Sequence, residues 1–344
     1  MAERAETGSE DALATLQLLL CGKMFTIALS VAARLEIADL LKEGPRGLGD
    51  LANACKADER SLERLMRLLV GLGAFEETRR RVYGLAPVGQ FLRSDVQGSL
   101  RAMAVARGSP WMWLPWGELL FSVRTGEAAF DHVFGQGLFP HLREHPQESA
   151  DFDAYMGALT RNHADSVVAA YDFSSIKKIV DVAGGRGHLI SAILAANPHM
   201  GGTLFDQSQV VPQAMEQIRG AGLADRCDVV GGDFFESVPA GGDGYVLSHI
   251  LHDWDDERCV MILRSIRTQI GDQGSLLVVE AVVPEENVPL PVALIDLMML
   301  VMSGGYERTE SEYRALFGRA KFRLERVIPT SSRQNVCILE ARPA

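Results

Sequence analysis

The stretch Lys178–Ala196, KIVDVAGGRGHLISAILAA, decides the fold of this chain. It begins with an apolar strand pattern over Lys178–Ala183, continues through a turn of small residues, and ends in a helix pattern over Leu189–Ala196. Glycines between a strand and a helix let the backbone approach a ligand at the helix N-terminus, which is the geometry of a nucleotide site. The dinucleotide fingerprint GxGxxG is not matched, because Ala183 and His188 stand where its first and third glycines belong.

The rest of the second half repeats this alternation of strands and helices. The predicted strands are Lys178–Ala183, Thr203–Asp206, Cys227–Val230, Gly244–His249, Ser275–Ala281, Phe322–Ile328 and Asn335–Ala341. Helical segments separate the first six, which favours a largely parallel sheet covered on both faces. Only a polar turn separates the last two, which favours antiparallel pairing at one edge. The predicted fold class is therefore α/β, with a Rossmann-like, seven-stranded, mostly parallel sheet.

Carboxylates follow the second and third of these strands. Asp206 closes the second strand, 25 residues after Asp181 in the first, where a carboxylate accepts both hydrogen bonds of a ribose diol. Asp233 follows the third strand, where it can accept a bond from an exocyclic amine, with Phe234 beside the purine face. The alternative is that both acids cap the helices after them. Because both follow consecutive strands downstream of a glycine turn, we favour a nucleoside site.

The first 175 residues have mostly helical patterns. Apolar residues from Leu16 to Leu35 recur at three- and four-residue spacing, and the run is so apolar that we expect it to be buried, either within the chain or against another subunit. The pattern of Gly47–Leu92 predicts a helix, a turn, a second helix and a hairpin around Glu76–Val82. This order of elements is typical of a winged helix. Asp58 or Ser61 could cap the second helix.

Two interpretations of the winged-helix pattern are possible, namely a DNA-recognition module and a helical packing module. Arginines that could face phosphate are Arg64, Arg67 and Arg79–Arg81. The second helix is mostly of core type, and the chain has 34 Lys and Arg against 45 Asp and Glu, a net charge of −11. We therefore favour packing and expect no nucleic-acid partner. A tryptophan cluster, Trp111, Trp113 and Trp116, is interpreted as core or as part of a pocket wall.

Composition and targeting signals restrict the class further. The chain has 344 residues, 47% of them hydrophobic, enough for roughly two domains with their own cores. No stretch is typical of a membrane span, because Ala12–Gly22 is too short and polar residues, proline and glycine interrupt the longer uncharged run Gly187–Phe205. The N-terminus has no signal-peptide pattern. The five cysteines are scattered without a CxxC pair, which favours free thiols in a reducing cytoplasm.

The fourth strand runs into HILHDWDDERC, His249–Cys259. Together with Asp181–Gly187, the Asp206 and Asp233 positions and GGYERT at Gly304–Thr309, this sequence resembles the S-adenosylmethionine-dependent O-methyltransferases of the caffeate/hydroxyindole type. These are class I methyltransferases whose bacterial members methylate phenolic hydroxyls of secondary metabolites. The resemblance spans nearly the whole chain.

The resemblance implies an organisation in three segments. Residues 1–100 would form a helical winged-helix dimerisation domain, residues 101–175 a helical linker that contributes to the substrate pocket, and residues 176–344 the catalytic domain that binds S-adenosylmethionine. It further implies a homodimer joined through the N-terminal domain, and a cytoplasmic enzyme of secondary metabolism or antibiotic biosynthesis without a membrane partner.

The resemblance also implies catalytic roles. His252 matches the family's general base, and Glu280 and Glu307 match the two acids that flank it. Methyl transfer to oxygen requires the acceptor to lose its proton, and a phenol has a pKa near 10 by analogy with tyrosine. A neutral imidazole is a suitable base at pH 7, and a carboxylate on its other nitrogen orients the ring.

Binding residues carry over position by position. Those for the cofactor are Asp181, Gly184, Gly185, Gly187, Asp206, Gln207, Gly232, Asp233, Phe234 and Ser248. Those for the acceptor pocket are Phe152, Met156, Trp254, Met298 and Met302. No required metal is expected, because the pair His249 and His252 lacks a third ligand at a suitable spacing.

Three positions depart from the family pattern. Ala183 stands where glycine is usual, Gln207 follows the ribose-binding acid where an apolar residue is usual, and Ser248 stands where a cofactor-binding lysine is frequent. Competing readings are a metabolite-sensing DNA-binding regulator, a family member repurposed to decarboxylation or hydroxylation, and an NAD-dependent oxidoreductase. The sequence does not identify the methyl acceptor or the position that is methylated.

Overall fold

The computed structural model describes residues 2–332 and 335–344. The chain divides into two compact units, Met1–Trp113 and Leu114–Ala344. Within the described residues, no single helix is both long and apolar enough to cross a membrane. One bent pair, Asp11–Leu20 with Gly22–Arg34, meets the length and composition requirements together, with a bend of 50°.

The first unit is helical, with a small sheet. Its elements are α1 (Ala2–Leu20), α2 (Gly22–Arg34), α3 (Ile37–Leu40), β1 (Arg46–Gly47), α4 (Leu48–Cys55), α5 (Glu59–Gly71), β2 (Phe75–Arg79), β3 (Val82–Leu85) and α6 (Arg101–Arg107). The strand order is β1-β3-β2. The side chain of Asp58 caps α5 by accepting a hydrogen bond from the Ser61 backbone N–H at 2.8 Å. The predicted winged-helix arrangement is therefore confirmed.

The exposure of the apolar N-terminal stretch differs from the burial that its sequence predicts. It forms two helices, and within the single chain much of it is exposed. Leu19 is 71% exposed and Met24 65% exposed, and Leu16, Leu18 and Leu20 are exposed as well. The prediction of burial within the chain is wrong for these residues, because α2 packs on α6 with its opposite face, through Ala28 and Ala32. The other alternative, burial against a second subunit, is taken up below.

The second unit opens with helices and continues into a sheet. After α7 (Pro110–Gly117), which crosses the boundary between units, the helices are α8 (Leu119–Thr125), α9 (Ala129–Phe134), α10 (Leu138–Glu144) and α11 (Pro146–Ala170). The following elements are β4 (Lys178–Val182), α12 (His188–Ala196), β5 (Gly201–Asp206), α13 (Val211–Gly220), β6 (Cys227–Gly231), β7 (Gly244–Ser248), α14 (Asp256–Gln269), β8 (Ser275–Val283), α15 (Leu290–Met302), β9 (Arg308–Thr309), α16 (Glu310–Arg319), β10 (Phe322–Pro329) and β11 (Val336–Pro343).

The large sheet confirms the predicted fold class. Its strand order is β10-β11-β8-β7-β4-β5-β6, and β9 pairs with the end of β8. The pairs β8-β7, β7-β4, β4-β5 and β5-β6 are parallel. The pairs β10-β11 and β11-β8 are antiparallel. Each of the seven predicted strands is present, with ends shifted by two residues or fewer.

Apolar side chains that point alternately to the two faces of the strands explain why helices cover both faces of the sheet. In β4, Val180 and Val182 pack with the buried residues of α14 and α16, whereas Ile179 packs with those of α12 and α13. Successive side chains of a strand point to opposite faces, so two hydrophobic cores form, one on each side of the sheet. The carboxyl ends of the parallel strands consequently meet at one edge of the sheet, where ligands bind in folds of this kind.

Candidate active site

A cavity of about 1230 Å³ lies at the carboxyl edge of the sheet, entirely within the second unit. Its wall includes Ala183–Arg186 after β4, Asp206–Val210 after β5, Gly232–Glu236 after β6 and Ser248–Ile250 after β7. Side chains of α10 and α11 complete the wall. The volume exceeds that of most single-ligand sites and is enough for two small molecules side by side.

The glycine loop after β4 has the conformation that the sequence pattern requires. Gly187 has φ 84°, and a Cβ placed on it would lie 2.6 Å from the Leu204 side chain, so only glycine fits. Ala183, where the family usually has glycine, also has a left-handed φ of 58°. An L-residue in that region is strained by about 1 kcal/mol or more.

Asp206 connects the ends of β4 and β5. Its carboxylate accepts hydrogen bonds from the backbone N–H groups of Gly185 and Gln207, each at 2.7 Å. Burial, with a smaller effect of Asp153, raises the pKa of Asp206 to about 6, although the two hydrogen bonds act to lower it. Each oxygen keeps a second lone pair, so the predicted contact with a ribose diol is sterically and chemically available.

Asp233, Phe234 and Gly232 form the part of the wall after β6. The Asp233 carboxylate accepts a bond from the Phe235 backbone N–H at 2.8 Å, so it also acts as a local cap, the alternative that the sequence left open. A Cβ on Gly232 would lie 2.6 Å from the Phe205 ring. The side chain of Phe234 stands beside Asp233 on the same wall, which leaves both the adenine contacts and the capping role possible.

The wall fits a cationic nucleoside cofactor. Nothing lies within 4 Å of the Cβ position of Gly185, so the backbone there is open to a ligand. Among the described residues, the buried hydroxyl of Ser248 has no hydrogen-bond partner, and the buried carboxyl group of Asp181 has only a weak contact with the Ile190 backbone N–H. Burial, with a smaller effect of Asp206, raises the pKa of Asp181 to about 7. A cluster of acids with unused acceptors is complementary to a positively charged ligand.

Behind the turn that follows β7, His252 is paired with two acids. Its Nδ1 lies 2.7 Å from Glu307 Oε1 and 3.8 Å from Glu280 Oε2. Glu280, within β8, accepts bonds from the backbone N–H groups of Ile250 and Leu251 at 3.0 and 2.6 Å and from the Tyr313 hydroxyl at 2.9 Å. These bonds fix both the turn and the carboxylate.

The acids change the protonation expected for His252. Burial alone would lower its pKa, but the charges of Glu307 and Glu280 and the hydrogen bond to Glu307 raise it to about 10. At pH 7 the imidazolium form therefore predominates in the empty site. The sequence analysis placed both acids beside His252 and expected a neutral imidazole as the base, and that role of the neutral form stays a prediction.

The ring of His252 is oriented through one nitrogen. A carboxylate can only accept, so Nδ1 carries the proton toward Glu307. In the part of the chain that the structure describes, Nε2 has no hydrogen-bond partner. His252, Glu280 and Glu307 are 5% exposed or less and do not line the cavity themselves, whereas Ile250 and Asp253, the residues around His252 in the chain, do.

Arg308 supports this turn and was not identified from the sequence. It is fully buried and donates to the carbonyl oxygens of Leu251 and Trp254, at 2.9 and 2.8 Å. It also pairs with Asp256 at 2.9 Å. A buried arginine that satisfies carbonyls on both sides of His252 holds the turn in one shape. Its place next to Glu307 in GGYERT was the available signal.

The predicted acceptor residues divide into two groups. Phe152, Met156 and Trp254 line the cavity, whereas Met298 and Met302, on α15, do not. Phe139, which the sequence analysis missed, stacks on Trp254 with ring centroids 5.5 Å apart at 22°. Of the predicted cofactor residues, only Gly187 is outside the cavity wall. The alternative metal pair, His249 and His252, has ring centroids 5.4 Å apart.

The family model described as O-methyltransferase domain matches residues 116–323, and the O-methyltransferase dimerisation domain matches residues 17–95. The phenazine O-methyltransferase PhzM of Lysobacter antibioticus is 41% identical over 343 residues, 100% of both chains. The mitomycin biosynthesis 6-O-methyltransferase of Streptomyces lavendulae is 40% identical, over 92% of this chain and 90% of that protein.

A solved structure is also similar to this chain. It is the O-methyltransferase NcsB1 from neocarzinostatin biosynthesis, in complex with S-adenosylmethionine and 2-hydroxy-5-methyl naphthoic acid. The TM-score is 0.80 and the identity 36%, over 93% of this chain and 96% of that one.

Proposed function

The chain belongs to the S-adenosylmethionine-dependent O-methyltransferase family, and from this premise we propose that its His252–Glu307 pair takes the proton from an aromatic hydroxyl that is methylated. The acceptor is a small molecule of secondary metabolism. The observation that carries this assignment is the 2.7 Å contact between Nδ1 of His252 and Glu307, which leaves Nε2 for the acceptor.

Binding of the cofactor is assigned to the three loops after β4, β5 and β6. Asp206 accepts from the ribose hydroxyls, Asp233 from the adenine amine, and Gly185 allows close approach of the backbone. When bound, S-adenosylmethionine supplies a methyl group on a positively charged sulfur. Asp181 is buried behind the same wall, and a positively charged sulfur nearby would favour its ionised form against the burial that raises its pKa to about 7.

The proton is held by the dyad. With a pKa of about 10, His252 matches a phenol, whose pKa is near 10. Since the empty site holds imidazolium at neutral pH, its Nε2 proton leaves to solvent before a neutral phenol can be deprotonated. The phenol then transfers its proton to Nε2, a step close to thermoneutral between groups of similar pKa, and the phenolate oxygen that remains beside the imidazolium can attack the methyl carbon.

The acceptor is proposed to be a planar aromatic compound. Phe139 and Trp254 are stacked on the cavity wall, and Phe152 meets Phe139 edge-on at 6.3 Å. Aromatic faces of this kind favour flat ring systems. The relatives act on phenazine and mitomycin compounds by their names, and the NcsB1 complex holds a naphthoic acid, in line with this class.

The proposal is tested with a labelled-methyl screen. Purified protein and S-adenosylmethionine labelled in the methyl group are incubated with hydroxyphenazines, hydroxynaphthoates and phenolic acids, and with each compound in which the hydroxyl is replaced by hydrogen. Label in the hydroxyl compounds alone supports the proposal. Label in neither set, from protein that binds the cofactor, would contradict it.

Replacing Asp206 by asparagine is expected to weaken S-adenosylmethionine binding by about ten- to hundredfold, the value of a charge-assisted hydrogen bond. Isothermal titration measures it, with Asp225→Asn, an exposed surface acid, as the matched control. Because the pKa of Asp206 is raised to about 6, its acceptor form is lost as the pH falls. Affinity of the wild type should therefore fall from pH 7.5 to pH 5. Equal affinity of Asp206→Asn would contradict the ribose assignment.

Replacing Glu307 by glutamine should move the acid limb of the kcat/KM profile to lower pH. In the wild type the two acids hold His252 protonated, so the rate rises with pH through the neutral range. Removing one charge lowers the pKa of His252 by about 1–3 units, since an opposite charge at this distance has that effect. The plateau rate falls because the imidazolium is less stabilised. An unmoved limb, with the same plateau, would remove Glu307 from the dyad.

We further propose a homodimer joined through the first unit. The dimerisation-domain match covers residues 17–95, which include α2 and the exposed apolar end of α1. Large apolar side chains that are exposed close together in the chain, as these are, often mark a surface that another protein covers. On α5 and its neighbouring hairpin, Arg67 and Arg81 pair with the acids Glu63 and Glu59, which supports packing over DNA binding. The five cysteines are free thiols, which supports a cytoplasmic location.

The double substitution Leu19→Glu with Met24→Glu is expected to convert the dimer to a monomer. Two charges placed on the apolar surface would have to be buried unpaired at the interface. Light scattering behind size exclusion gives the mass. Met215→Glu, which places the same charge on an exposed apolar position of α13, should leave the dimer intact. A dimer in both variants would locate the interface elsewhere.

A further inference from the structure

We propose that His141, His145 and Glu148 form a binding site for one Zn²⁺ ion at the elbow between α10 and α11. His141 lies in the last turn of α10, His145 between the two helices, and Glu148 in the first turn of α11. Two imidazole nitrogens and a carboxylate oxygen from these residues all lie within 4.8 Å of one another. The site is separate from the proposed catalytic chemistry and does not depend on it.

The ring of His145 is oriented as a ligand. Its Nδ1 lies 2.8 Å from the carbonyl oxygen of His141. A carbonyl can only accept, so Nδ1 carries the proton and the lone pair of the neutral ring is on Nε2. Metal-bound histidines very often donate their second ring nitrogen to a backbone carbonyl in this way. The arrangement thus resembles a preformed ligand with its outer hydrogen bond already in place.

His141 and Glu148 supply the other two donors. His141 Nε2 lies 2.7 Å from Glu148 Oε2, and because a carboxylate only accepts, this nitrogen carries a proton that Zn²⁺ displaces to solvent when it binds. The rings of His141 and His145 are stacked 3.9 Å apart, and Phe134 contacts the His141 ring at 4.6 Å, so the ring has little freedom to turn away. Zn²⁺ at about 2.0–2.1 Å from each donor needs them about 3.4 Å apart, so binding requires His145 and Glu148 to adjust separations that are now 4.8 Å or less.

The donor set decides the kind of ion. Imidazole nitrogens with one carboxylate favour Zn²⁺ over Mg²⁺ or Ca²⁺, which prefer oxygen. Three protein ligands leave a fourth position open to water. His145 is exposed and Glu148 half-buried, so an ion has a path from solvent. In contrast, the His252, Glu280 and Glu307 group, also of three possible ligands, is buried and hydrogen-bonded in a network of its own.

The elbow also contributes to the wall of the catalytic cavity. Leu142, Arg143, Pro146 and Ser149, which alternate with the three ligands along the chain, line that cavity. An ion that joins the end of α10 to the first turn of α11 would therefore fix the backbone of this part of the wall without entering the cavity.

The test uses untagged full-length protein freed of metal with a chelator. Titration calorimetry with Zn²⁺ should give one ion per chain, and Co²⁺ should give the visible absorption of a tetrahedral site. His145→Ala and Glu148→Gln should each weaken binding by at least about tenfold, since even an outer-shell partner is worth that much. Glu148→Gln keeps a hydrogen-bonding group beside His141. The control, His199→Ala, removes an exposed histidine outside the cluster and should bind as the wild type does.

The binding measurements either support or overturn the proposed Zn²⁺ site. One ion lost in both ligand variants and kept in the control establishes the site. The absence of measurable binding in the wild type, or equal binding in the ligand variants, would overturn it. Binding that is unchanged by His145→Ala but lost in Glu307→Gln would place the ion at the His252 group and also overturn the proposal.

Discussion

Replacing His252 by alanine is expected to lower kcat for aromatic O-methylation by about 10²–10⁴-fold, the contribution of a positioned acid-base group. The acceptor hydroxyl then keeps its proton at pH 7, since its pKa is near 10. The S-adenosylmethionine Kd should change little, because the cofactor contacts are assigned to the loops after β4, β5 and β6. Single-turnover kinetics with a saturating acceptor measure the chemical step.

Two features separate loss of the base from structural damage. Without the imidazole, Glu280 and Glu307 remain buried together, so one of them takes up a proton and the turn could shift. His252→Asn, which keeps a neutral polar group, should lose a similar factor in kcat while retaining the fold. Added imidazole should restore part of the activity of His252→Ala, as it would not for a displaced turn.

The control for this experiment is His199→Ala, which removes an exposed histidine far along the chain from the turn. It should keep wild-type turnover. An activity of His252→Ala within about threefold of the wild type would show that Nε2 of His252 does not receive the proton, and it would leave Asp253 as the titratable group to examine next. Burial raises the pKa of Asp253 to about 6, and it lines the cavity.

The positions of the strands and the antiparallel edge were accessible from the sequence because they depend on local patterns, whereas the order of the strands in the sheet was not predicted. The run at Lys178–Val182, the glycine turn and the helix behind it define one unit, and the short link between β10 and β11 defines the antiparallel edge. Asp206 could be placed in the same way, since the carboxyl ends of parallel strands are adjacent by construction.

The catalytic constellation was accessible only through the resemblance. His252, Glu280 and Glu307 come from three separate segments of the chain, and their 2.7 and 3.8 Å distances result from packing that no local pattern contains. The raised pKa of His252 follows from that packing and could not be anticipated. Arg308 was missed for the same reason, because its carbonyl partners lie more than 50 residues away along the chain.

The exposed end of α1 shows the opposite failure. Its apolar pattern was identified correctly, but a sequence does not say whether an apolar surface is covered by the same chain or by a second one.

Ala183 illustrates a third case. A residue that departs from the family pattern still adopts the left-handed conformation that glycine would take, with φ 58°, because the glycine turn around it leaves no alternative.

Replacing Gly305 by alanine is expected to lower kcat by about a hundredfold, although Gly305 does not line the cavity. A Cβ on this residue would lie 1.9 Å from the carbonyl oxygen of His252 and 2.7 Å from the carbonyl carbon of Asp253. Both are backbone atoms, so relief requires the turn itself to move by about 1 Å. A displacement of that size at a reacting group costs about a hundredfold in rate.

Arg308 prevents the turn around His252 from moving easily to relieve the clash with an added Cβ on Gly305. It holds the carbonyls of Leu251 and Trp254, on either side of His252, so the turn cannot shift without breaking these buried bonds. We expect Gly305→Ala to be less stable by about 1–3 kcal/mol, as for other overpacked sites. Cofactor affinity should be unchanged, because the clash is with the base and not with the glycine loop, and the loss should therefore appear in kcat.

Gly318→Ala is the matched control. It makes the same substitution in α16, where nothing lies within 4 Å of the added Cβ and the backbone is helical, so the protein should be as stable as the wild type or slightly more so. Turnover should stay at the wild-type level. If Gly305→Ala and Gly318→Ala had equal kcat, the close approach of the GGYERT segment to His252 would have no role in holding the base, and the assignment of that segment to catalysis would rest on Glu307 alone.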